Sequence, residues 1–147
     1  MHVNRLEKLT LQAVVALASL VPIGAGGAGV LFGPGPFASA IVASADLDSH
    51  FRYLSGLLLA IGLAYASGIP GIETRTARFS LLTGIVVTGG AGRLFGMLAM
   101  GTPSRAMLAA LAMELIVTPA IALWQRRVAK SHAKANASGA PNASGAA

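Results

Sequence analysis

The chain has 147 residues, 54% of them hydrophobic and 11% charged, with a mean hydropathy of +0.69. An average soluble domain is about 25% charged, so the composition counts against an ordinary soluble enzyme and excludes a disordered chain. No cysteine is present, which removes disulfides, thiolate metal sites and thiol redox chemistry, and the formal charge of +6 indicates nucleic acid only if basic residues cluster on a folded face.

A bilayer core of about 30 Å takes about 20 mostly apolar helical residues. Four stretches fit: 9–32, 53–69, 79–100 and 107–124. The second is the shortest and has no charge inside it; the third contains Arg93 and the fourth Glu114. The expected fold is therefore all-α, a four-helix transmembrane bundle forming a single domain over 1–130. After the first span, Gly33-Pro34-Gly35-Pro36 cannot continue a helix. Residues 37–45 are apolar but too short to span and are expected to lie at the outer interface or dip back into the membrane, and Ser49 or Asp48 is expected to cap the second helix. Residues 131–147 are small, polar and repetitive, and are expected to form a disordered cytoplasmic tail.

The basic residues are distributed unevenly. Arg5, Lys8, Arg75, Arg78, Arg126, Arg127, Lys130 and Lys134 fall on one side of these spans, against Arg52 and Arg105 on the other. By the positive-inside rule this places both termini of a multi-pass membrane protein in the cytoplasm. The net charge is then a signal of topology in a lipid bilayer, and no nucleic-acid partner is expected. Arg5 and Lys8 before an apolar run, with Ala16-Leu17-Ala18, also fit a cleaved signal peptide. The apolar stretch continues well past that site, and removing it leaves an odd number of spans, so a retained first span is expected.

Small residues recur at four-residue spacing: Ala25, Gly29 and Gly33; Gly56, Ala60, Ala64 and Gly68; Gly84, Thr88, Gly92 and Gly96; and Ala106, Ala110, Glu114, Thr118 and Ala122. Such stripes let membrane helices approach closely, within a bundle or across a homo-oligomer. Pro22 and Pro119 lie inside spans, and Thr118 is placed to help satisfy the carbonyls that Pro119 frees. Trp124 before Gln125-Arg126-Arg127 reads as an interfacial anchor.

A charge at the helix centre costs roughly 2.5–3.5 kcal/mol on insertion scales, so Arg93 and Glu114 require a reason. Arg93 lies about 10 Å, and Glu114 about 15 Å, from the outer ends of antiparallel neighbours at 1.5 Å per residue. An arginine side chain reaches across that gap, so an ion pair inside the bundle is expected. The pair serves either as a lock or as the floor of an outward polar pocket whose mouth collects Asp48, His50, Arg52 and Tyr53 with Asp46. Asp48 and Arg52, at i,i+4, can instead pair with each other. No metal-ligand spacing, phosphate loop, nucleophile elbow or zincin motif is present, so no catalytic residue, metal or cofactor is expected.

Three segments in order, Leu47-Asp48-Ser49-His50-Phe51-Arg52-Tyr53-Leu54-Ser55-Gly56, Gly89-Gly90-Ala91-Gly92-Arg93-Leu94 and Met113-Glu114-Leu115-Ile116-Val117-Thr118-Pro119, resemble an uncharacterised bacterial family of small four-helix membrane proteins, domain of unknown function 4345. The resemblance covers roughly 9–128. Gly92 stands where alanine is expected, a departure that leaves Arg93 in place. The resemblance implies fold and location but no activity; a wider likeness to DoxX-like membrane proteins would imply a quinone-linked redox subunit. The sequence thus favours a non-enzymatic structural or accessory membrane subunit, with a homo-oligomer or a membrane protein partner. The alternatives are a small transporter or ligand-binding protein, then the redox subunit.

Overall fold

A computed structural model describes residues 5–35 and 44–139, which form helices with no strand among them. Helix α1 spans Arg5–Phe32, α2 Ala45–Ala66 and α3 Thr76–Met100. A single 3-10 turn, Ile72–Thr74, lies between α2 and α3. The fourth helix is composite: α4 (Arg105–Ala112), a π-helical turn (Met113–Val117) and α5 (Thr118–Gly139) follow without interruption. The chain divides into two compact units, Ala13–Pro70 and Met1–Gln12 with Gly71–Ala147, the boundary falling inside α1.

Three helices, Arg5–Phe32, Thr76–Met100 and Arg105–Ser138, are long and apolar enough to cross a membrane. Their outer surfaces are apolar too: Leu17, Phe95 and Leu98 are 67%, 74% and 75% exposed, a display suited to lipid rather than water. Helix α2 is not among the three. It starts eight residues earlier than the span expected at 53–69, and its first turns carry Asp46, Asp48, His50 and Arg52.

The ends of the elements follow local chemistry. Helix α1 stops before Gly33, whose φ of +66° is a left-handed conformation that glycine alone adopts without strain. The cap of α2 is Ser44, not Ser49 or Asp48: its side chain accepts the Leu47 backbone N–H at 3.2 Å, while Asp48 is taken up by Arg52. Ser104 caps α4 in the same way, through the Met107 N–H at 3.4 Å. The interfacial run expected at 37–45 lies outside the described residues apart from Ser44 and Ala45.

Two corrections concern the composite helix. Residues 131–139, expected to be disordered, are helical; Ala133, Ala135, Ala137, Lys130 and Lys134 are strong helix formers, and extending an existing helix avoids the cost of nucleation. The remainder of the expected tail lies outside the described residues. Thr118 Oγ1 donates to the Met113 carbonyl at 2.9 Å, which already accepts Thr118's own N–H. It does not turn to a carbonyl freed by Pro119. The wide π register directly before Thr118-Pro119 accommodates the proline's missing N–H.

Packing uses glycines that the stripes single out only in part. In the unit Ala13–Pro70, a Cβ on Gly26 would lie 2.5 Å from Leu59 N and 2.8 Å from Ser55 O, and one on Gly29 would meet the Ser55 side chain. Gly56 has only Val30 Cγ2 nearby, at 3.9 Å. In the other unit, Gly84, Gly89, Gly92 and Gly96 have nothing within 4 Å, whereas a Cβ on Gly90 would lie 2.9 Å from Glu114 Cβ. Leu11, Ile72, Phe79, Gln125 and Val128 are the largest fully buried side chains, all in that same unit.

Candidate functional site

Arg93 is on α3 and Glu114 on the π turn. The guanidinium grips the carboxylate with two parallel bonds, Nε to Oε2 at 3.0 Å and Nη2 to Oε1 at 3.1 Å. This fork-on-fork geometry adds directional specificity to charge. The third nitrogen, Nη1, donates to Met107 Sδ at 3.0 Å, so each arginine nitrogen has a partner. Gly90, one turn before Arg93, gives Glu114 and Leu115 room to come against α3. The side chains are 36% and 19% exposed. Beside them an open groove of about 410 Å³ is lined by Arg93, Met97, Met100, Met107 and the Gly101-Thr102-Pro103 link.

In the unit Ala13–Pro70, Arg52 pairs with Asp48, Nε to Oδ2 at 2.7 Å and Nη2 to Oδ1 at 3.3 Å. Its Nη1 donates to the carbonyls of Val30 at 2.6 Å and Leu31 at 3.2 Å. These belong to the last turn of α1, which has no basic residue of its own. Arg52 therefore closes the C-terminal end of a neighbouring helix, where a cation is favoured by the helix dipole. His50 and Tyr53 are exposed, Tyr53 by 64%, and take no part in this arrangement.

A third polar group joins the start of α1, the 3-10 turn and α5. Lys8 Nζ donates to Glu73 Oε1 at 2.6 Å. Trp124 Nε1 donates to Glu7 Oε1 at 3.3 Å, and Arg127 Nε lies 3.6 Å from the same oxygen. Gln125, fully buried, donates through Nε2 to the Ile72 carbonyl at 2.7 Å and to Thr76 Oγ1 at 3.1 Å. The carbonyl accepts only, which fixes the orientation of the amide. Burial by itself would raise the Glu73 carboxyl; the Lys8 bond, a backbone N–H and the positive charges of Lys8 and His132 outweigh it and hold the group below its ordinary value. Trp124 is thus an internal donor as well as a flank of the basic segment. Sequence reading did not find this cluster, because Glu7, Glu73 and Gln125 lie outside or at the edge of the apolar stretches; a lone glutamate in a short link otherwise rich in arginine was the available signal.

Among the described residues no group of histidine, cysteine or carboxylate side chains could hold a metal ion. No curated protein and no solved structure matches the chain. The model of a domain of unknown function, DUF4345, matches residues 10–125, a range that contains Arg52, Arg93 and Glu114. The chain belongs to the DUF4345 family.

Proposed function

We propose that this chain is a non-enzymatic integral membrane protein, a structural or accessory subunit of the bacterial inner membrane with both termini in the cytoplasm, in which Arg93–Glu114 locks α3 to the composite helix. One observation supports this above the others: the guanidinium is committed internally, two nitrogens to Glu114 and the third to Met107. The bidentate grip on Glu114 supplies the directional specificity that a helix-to-helix lock needs. The protein then acts through its place in an assembly, with copies of itself or with another membrane protein.

A double-mutant cycle in nanodiscs tests the lock, using Arg93→Gln, Glu114→Gln and both together. Breaking a buried pair from one side costs about 3–5 kcal/mol, while removing both partners is often close to neutral; the partial exposure here places each single loss at or below the lower figure. The expected result is that both single variants melt earlier, the double variant recovers most of the loss, and the purified protein carries a stable partner or oligomer. Unchanged or improved stability of Glu114→Gln would overturn the lock. That outcome would favour a second reading, a small transporter or ligand-binding protein, which rests on the groove that Arg93 lines beside Met97 and Met107.

A further inference from the structure

The polar cluster at the start of α1, the α2–α3 link and α5 leaves a charge imbalance. Its two carboxylates are taken: Glu73 by Lys8 and Glu7 by Arg127 with Trp124. Arg5, Arg75, Arg126, Lys130 and Lys134 lie on the same elements, with no further carboxylate among the described residues there to offset them. The structure binds these segments together, since Gln125 ties α5 to the link and Arg126 Nη2 donates to Ser80 Oγ on α3 at 3.0 Å. Because residues 131–139 are helical, Arg126, Lys130 and Lys134 recur every four residues along one exposed face of α5. Like charges at that spacing repel unless an external anion intervenes. Counting from Trp124 at 1.5 Å per residue, Arg126 and Lys130 fall within about 9 Å, the depth of a headgroup layer, and Lys134 at about 15 Å lies beyond it.

We propose that this end of the molecule binds the phosphate headgroups of anionic phospholipids, with Arg75, Arg126 and Lys130 as the contacts and Lys134 outside the layer. The surface is basic, adjoins helices suited to a bilayer and has used its own acids, so charge complementarity selects an anionic lipid. Basic residues near such a surface contribute about 1 kcal/mol each, about fivefold in relative binding. The inference does not depend on the Arg93–Glu114 lock.

The chain contains a single tryptophan, Trp124, two residues before Arg126. The full-length protein is reconstituted in phosphatidylcholine containing increasing amounts of either dibrominated phosphatidylglycerol or dibrominated phosphatidylcholine, and Trp124 quenching is followed. Quenching by the anionic lipid is expected at a severalfold lower mole fraction, with the preference shrinking as salt rises. Arg126→Gln with Lys130→Gln should reduce the preference, the Lys-for-Arg variant Arg126→Lys should retain it, and Arg105→Gln at the start of α4 should leave it intact. Equal quenching by the two lipids, or a preference indifferent to the Arg126 and Lys130 changes, overturns the proposal. So does tight binding of an oligonucleotide or an acidic peptide to the reconstituted protein at 0.15 M salt without any lipid preference.

Discussion

Single residues in this chain do their work by completing bonds for other segments. Arg52 is the clearest case, since its three nitrogens serve a carboxylate on its own helix and two carbonyls on another. Its pairing with Asp48 is legible from the i,i+4 spacing; its second role is not, because a carbonyl twenty-two residues away leaves no trace in side-chain pattern. Glu73 gives a prediction at the same scale. Its carboxyl is held below the ordinary value in the folded protein, so its contribution is present at neutral pH and is lost as pH falls through that depressed value. Glu73→Gln should therefore lower stability at pH 7 by about 1.5–3 kcal/mol, the worth of a hydrogen bond to a charged group. The difference from wild type should vanish in acid, and melting curves across pH 3–7 check this.

Between elements, contact depends on which small residue faces the neighbour. The spacing of four marks several candidate faces on each helix, and only the opposing backbone decides among them. Thus Gly92 and Gly96 are open while Gly90 is filled by Glu114 and Leu115. A Gly90→Ala variant should push the π turn off α3 and cost about 1–3 kcal/mol, as overpacking does. Gly92→Ala, with nothing within 4 Å, should be neutral or slightly stabilising through helix propensity. Thermal melts of the two variants side by side test the register. The helix types and their apolar lengths were readable because hydropathy runs are long and uninterrupted. The start of α2 was misjudged because its first two turns are polar, and the helical stretch at 131–139 because low hydropathy says nothing about alanine-driven extension.

For the whole molecule, the absence of cysteine makes topology directly measurable. Helix α3 has 25 residues, about 37 Å at 1.5 Å per residue, which exceeds a bilayer core of about 30 Å. Single cysteines introduced at Thr74 and at Thr102 should therefore react with an impermeant maleimide from opposite sides of the membrane, Thr74 from the cytoplasmic side; labelling of both from one side would show that α3 does not cross. The bias of Lys and Arg along the chain is legible in the sequence, whereas the union of the basic segments into one surface needed Glu7, Glu73 and Gln125 in place. The capping of α1 by Arg52 carries a consequence for biogenesis. During synthesis the last turn of α1 leaves the ribosome about twenty residues ahead of the arginine that closes it. The first two helices are thus expected to mature as a pair, the end of α1 staying open until Arg52 of α2 arrives to close it.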